Sequence, residues 1–130
     1  MLSLLIAAAV AAQAEPDCKD PQTQADMNIC SGRAFKVADA AMTVEYNAVV
    51  ARMKKMDVGF DRGFDTRPGY YAALLDSQRA WLKFRDAECV VEGYYARGGT
   101  MEPLMVSSCL EEVTKQRTEQ LSSLDKMFDN

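Results

Sequence analysis

Gln78-Arg79-Ala80-Trp81-Leu82-Lys83-Phe84-Arg85-Asp86-Ala87-Glu88-Cys89 has the spacing of a helix that packs along one side. At about 100° per residue, Leu75, Leu82 and Cys89 fall on one line, with Leu74 and Trp81 beside it. Gln78 and Arg85 then point into the middle of that apolar arc, where a polar group needs a partner to offset its lost hydration. The segment predicts a buried helix face made of hydrocarbon, one cysteine and two polar contacts. Trp81 is expected in the core, its indole N–H seeking a carbonyl.

Outward from that face the pattern breaks on both sides. Residues 57–69 carry three glycines and Pro68, and Gly59-Phe60-Asp61-Arg62 is echoed by Gly63-Phe64-Asp65-Thr66-Arg67. Asp57, Asp61 and Asp65 recur at every fourth position. That is not the spacing of an EF-hand loop and no closing glutamate follows, so a mobile connector is expected rather than a calcium site. Beyond Cys89, Arg97-Gly98-Gly99-Thr100 makes a turn. Helix 2 is therefore expected from about Tyr70 to Tyr94. A third helix should run from Glu102-Pro103 to about Phe128, its stripe Val106, Leu110, Val113, Leu121, Leu124 and Phe128 having Arg117 at the centre.

The first helix has two candidate starts, Asp20-Pro21 and the capping pattern Thr23-x-x-Asp26. Met27, Cys30, Ala34, Val37, Ala41, Val44, Ala48 and Ala51 then repeat at heptad spacing. A second stripe of Phe35, Met42, Tyr46, Val49 and Met53 runs beside it. With more than half its circumference apolar, helix 1 is expected between the other two. The fold class is all-α, an antiparallel three-helix bundle in up-down-up order.

Antiparallel neighbours meet where they lie equally far from a shared end. Asp39, Gln78 and Arg117 share a depth, which predicts a buried polar layer with an Asp39–Arg117 ion pair and a hydrogen bond from Gln78. Arg85 belongs to the same apolar arc, nearer Cys30 and Cys109. Such a layer reads as a register-fixing contact rather than as an acid–base site, since neither a histidine nor a free thiol accompanies it. All four cysteines gather at one end. Cys30–Cys109 with Cys18–Cys89 fits by depth, and so does Cys18–Cys30 with Cys89–Cys109.

Residues Met1 to Ala14 bear no charged side chain and end in small residues at Ala12 and Ala14, the pattern of a secretory cleavage site. A spanning helix needs ~20 apolar residues, more than this run supplies. Residues 1–14 are thus expected to be a signal peptide and 15–130 a single helical domain, periplasmic or secreted, with two disulfides. No membrane anchor is expected after cleavage, because Cys18 follows Glu15-Pro16-Asp17 rather than small apolar residues. A net charge of −4 argues against nucleic acid and is compatible with a basic protein partner. The cysteines lack the spacing of a metal site and no histidine completes one, so no cofactor or metal is expected.

Taken together, several of these pieces resemble the LprI-type lysozyme-inhibitor N-terminal domain family of exported bacterial proteins. They are Cys18, Gln24-Ala25-Asp26-Met27-Asn28-x-Cys30, Ala38-Asp39-x-x-Met42-x-x-x-Tyr46, the segment from Gln78 to Cys89, Gly98-Gly99-Thr100, Cys109 and Thr114-x-x-Arg117. Thr43 and Thr100 stand where the family usually has asparagine and serine, and both keep a small polar group. The resemblance implies binding to, and blocking of, a lysozyme, whose cleft holds two carboxylates. On that footing the candidate partner-binding turn is Arg97, Gly98, Gly99 and Thr100, with Arg97 as the cation facing those carboxylates. The competing expectation is an envelope interaction module that uses Phe60 and Phe64 of the connector. An enzyme is the least expected class, since no histidine, free thiol or phosphate-cradling loop is present.

Overall fold

The computed structural model describes residues 14–129, so the expected signal peptide lies, Ala14 apart, outside the described residues. The elements are α1 (Gln24–Gly59), α2 (Tyr70–Gly93), a short 3-10 turn (Tyr94–Ala96) and α3 (Glu102–Met127), with no strand among the described residues. They form the expected three-helix bundle.

Of the two candidate starts, Thr23 begins α1. Its backbone is extended and its Oγ1 accepts from the Asp26 N–H at 3.0 Å, while the Asp26 carboxylate sits in the first turn, where the helix dipole favours it. A helix begun at Pro21 would have put Pro21 itself about 13 Å from Cys30 along the axis, leaving only residues 18–20 to bring Cys18 back. Instead the chain turns back and the two are disulfide-bonded, their Cα atoms 5.4 Å apart. The second disulfide joins Cys89 on α2 to Cys109 on α3. The pairing is therefore Cys18–Cys30 with Cys89–Cys109. By the loop-entropy argument each closure contributes about 3 kcal/mol.

The core is Met42, Val49 and Met53 from α1, Leu74 from α2 and Leu121 from α3, with Tyr46, Tyr70, Trp81, Leu124 and Phe128 packed against it. The two stripes of α1, both expected to be covered, are not buried alike. The stripe of Met42, Tyr46, Val49 and Met53 is the seam, whereas Val37 and Val44 of the alanine-rich stripe are each 71% exposed. Side-chain size explains the choice: Met and Tyr remove far more apolar area from water than Ala does. Nor is α1 the middle element. It packs chiefly on α3, α3 also carries α2, and the α1–α2 contact is the slightest.

Close approach of α2 to α3 depends on Gly93. A Cβ there would lie 2.4 Å from Val106 Cγ2, so the helices meet where a side chain is missing. At the other end α2 has no side-chain cap of its own. Asp57, near the end of α1, supplies one by accepting from Tyr70 N (2.7 Å) and Tyr71 N (3.0 Å).

Thermal or denaturant melts check this seam. Val49→Ala should lose about 2 kcal/mol, and Val44→Ala should stay within about 0.5 kcal/mol of the parent. The reverse order would restore the alanine-rich stripe as the packed face.

Candidate functional site

Arg85 is the most deeply buried cation of the chain, its side chain 9% exposed. Nη1 donates to Asp39 Oδ1 (2.9 Å) and to Thr114 Oγ1 (3.3 Å), and Nε donates to Asp86 Oδ1 (2.9 Å). Its guanidinium carbon lies 5.2 Å from the Phe35 ring centre and 5.1 Å from that of Trp81. One side chain thus ties α1, α2 and α3 together. Buried Gln78 makes a second tie, donating to Met42 Sδ (3.1 Å) and accepting from Arg117 Nε (3.0 Å).

The expected Asp39–Arg117 ion pair does not form; Asp39 pairs with Arg85. Counting depth fixes height but not lean, and helical side chains lean toward their own N-terminus. Arg85 on the descending α2 leans away from the disulfide end, while Asp39 on the ascending α1 leans toward it. Their axial offset of about 10 Å is closed from both sides. Arg117 turns instead to α2, donating to Gln78 and to Ser77 Oγ (3.2 Å) beneath the Trp81 ring. Burial pushes the Arg117 guanidinium below its ordinary pKa and pushes the Tyr46 hydroxyl above its own. Trp81 is half-buried and gives its face to both guanidiniums. Among the described residues no buried side-chain nitrogen or oxygen lacks a partner, as expected of a layer that holds helices in register.

The disulfide end is built differently. After α2 the 3-10 turn leads into Arg97, whose guanidinium lies 4.4 Å from the centre of the Tyr94 ring. Gly98 takes φ +78°, which favours glycine, and its N–H donates to Glu102 Oε2 at 2.7 Å. Gly99 N donates to Ala96 O (2.9 Å), and Asn28 Nδ2 reaches from α1 to Thr100 O (2.9 Å). With Cys89 about one turn before the end of α2 bonded to Cys109 about two turns into α3, the Arg97–Thr100 turn is fixed from three sides. Around it Tyr95 is 82% exposed, and Tyr94, Val91 and Ile29 stand partly clear of the fold. Sequence reading gave Tyr95 no role. Two adjacent tyrosines and an arginine beside a glycine pair were the available signal, since such side chains are enriched where protein partners dock.

At the opposite end the three connector carboxylates are all engaged internally. Asp57 caps α2, Asp61 accepts from Gly63 N (3.1 Å), and Asp65 binds Arg67, which holds its carboxyl well below the usual range. Arg52 of α1 pairs with Asp125 and Asp129 beyond the core, and the hydrogen bond from Arg52 lowers the Asp125 pKa.

A family model described as "Lysozyme inhibitor LprI" matches residues 16–121. A protein of Rhizobium meliloti (strain 1021), described only as uncharacterized, is 42% identical over 132 residues, covering 99% of this chain and 95% of that protein. No solved structure matches. Both disulfides and this match are consistent with a periplasmic or extracellular protein, and no helix among the described residues is long and apolar enough to cross a membrane.

Two melting experiments test the polar ties. Asp39→Ala, which leaves the buried Arg85 short of a carboxylate, should cost about 1–3 kcal/mol. Adding Arg85→Met to it should cost no more than Asp39→Ala alone, because the charge leaves with its partner. Asp125→Asn should lower the melting temperature by a few degrees at neutral pH. A lowered folded-state pKa stabilises above the unfolded value and is lost as pH falls through the folded one, so that difference should vanish in acid.

Proposed function

The chain belongs to the LprI lysozyme-inhibitor family, and from that membership we propose that it is an exported, non-catalytic protein that binds a lysozyme through its disulfide end and blocks the cleft. The observation that carries this reading is the joint exposure of Tyr94, Tyr95 and Arg97 on a turn that cannot relax. Large amphipathic rings and guanidiniums dominate protein interfaces, and a surface fixed beforehand loses little entropy on docking. Stacking on Tyr94 holds the Arg97 cation in place without neutralising it, which suits a cleft lined by two carboxylates. The acidic balance of the chain would draw a basic enzyme toward it. In this reading Met1 to Ala14 is the export signal and the working protein is periplasmic or secreted.

A second reading is an envelope module that never meets lysozyme. It has one observation in its favour, the full exposure of Phe64 at the other end.

Titrating the chain from Glu15 against the turnover of several lysozymes separates the two. The expected result is inhibition that saturates at a fixed ratio, weakened about tenfold or more by Tyr95→Ala and by Arg97→Ala with the melting temperature preserved. Full lysozyme turnover at saturating protein would remove the proposal. Inhibition untouched by both substitutions would remove this end as the contact.

A further inference from the structure

Between the end of α1, the connector and the first turn of α2 lies a cavity of about 680 Å3, a size in the range of small-molecule sites. Phe60, Pro68, Tyr70, Tyr71, Ala72 and Ala73 give it a mainly apolar lining. Contacts within the chain hold its shape. Asp57 binds the first N–H groups of α2, and Phe60 meets Tyr70 edge-on at 5.5 Å. Gly69 lets the two helices close on each other, since a Cβ there would lie 2.6 Å from Asp57 Oδ1.

Two carboxylates and two guanidiniums also line the cavity, and three of the four are already engaged. Both oxygens of Asp57 accept from backbone N–H groups at the positive end of the α2 dipole. Asp65 and Arg67 are joined by two hydrogen bonds of 2.9 and 2.7 Å. Arg62 is the exception. Its one hydrogen bond among the described residues runs from Nε to the Asp65 carbonyl oxygen at 3.4 Å, and no carboxylate pairs with it. The terminal nitrogens keep their N–H groups unspent. Solvent-facing cations elsewhere, such as Lys36, Arg79 and Lys83, stand on exposed helix positions, whereas Arg62 stands at a concave apolar surface.

We propose that this cavity binds a small aromatic carboxylate, its ring against Phe60, Pro68 and Tyr70 and its carboxylate on the terminal nitrogens of Arg62. The unspent polar groups decide the class of ligand. A guanidinium edge donates parallel N–H bonds and accepts none, which matches the two oxygens of one carboxylate. A neutral ligand would fill the cavity and leave that cation without a counter-charge, and a cationic one would find both carboxylates already bonded. The aromatic walls favour a flat body, because rings pack against rings edge-on or offset. The proposal does not rest on lysozyme binding, which uses the opposite end.

Fluorescence titration with 2-naphthoate tests it, with 2-naphthamide as the uncharged counterpart. The chain from Glu15 contains every element of the bundle and lacks the apolar Met1–Ala14 run, which would take up aromatic probes by itself. The expected result is saturable binding of the naphthoate at one site per chain, about tenfold or more tighter than that of the amide. Arg62→Gln should weaken naphthoate binding about tenfold or more and leave the amide unchanged. Arg79→Gln, which removes a solvent-facing arginine of α2 outside the cavity, should bind as the parent does. Both arginines are exposed, so both variants should keep the melting temperature of the parent. No saturable naphthoate binding, equal affinity for the amide, naphthoate binding untouched by Arg62→Gln, or equal losses in the two arginine variants would each overturn the proposal.

Discussion

Arg85 reaches from α2 into the seam between α1 and α3, and there Asp39, Asp86, Thr114 and two aromatic faces hold it. A guanidinium taken out of water must find partners on every side, and only one relative placement of the three helices supplies them. Hydrocarbon packing alone would let helices with alanine-rich faces slide by a turn. The polar layer forbids the slide, because a shift of one turn would leave the cation beside alkyl groups. Its partners Asp39 and Asp86 are 42% and 65% exposed, so the carboxylates keep much of their hydration. The desolvation cost falls mainly on one ion.

The covalent frame is local. Cys89–Cys109 makes a hairpin of α2 and α3, and Cys18–Cys30 folds the N-terminal segment onto α1. No disulfide joins α1 to the other two helices. Polar contacts at successive heights do that work beside the apolar seam: Asn28 to Thr100 near the disulfide end, Asp39 to Arg85 midway, and Arg52 to Asp125 and Asp57 to the start of α2 at the far end. Apolar burial supplies the adhesion, and these contacts set where along the axis it acts.

The helices, their order and the connector were legible because period and punctuation are local signals. Gly69 and Pro68 before Tyr70, and Gly98-Gly99 before Glu102, bound the elements closely. Two properties were not legible. Which stripe of α1 faces inward depends on the size of what it meets, and Met42, Tyr46, Val49 and Met53 prevailed over a more regular run of alanines and valines. Which arginine meets Asp39 depends on the direction each side chain leans, and depth counting omits it. Both sulfur pairings satisfied depth, and only the backward turn before Thr23 distinguishes them. At the disulfide end the glycine turn drew attention, whereas the tyrosines beside it surfaced only when exposure was known.

The sulfurs bond in the order in which they occur along the chain, the first with the second and the third with the fourth, across separations of 12 and 20 residues. A polypeptide delivered N-terminus first therefore presents each thiol next to its proper mate before the following pair emerges. Maturation of this scaffold asks for an oxidant but not for a shuffling catalyst, since the earliest available bond is already the native one.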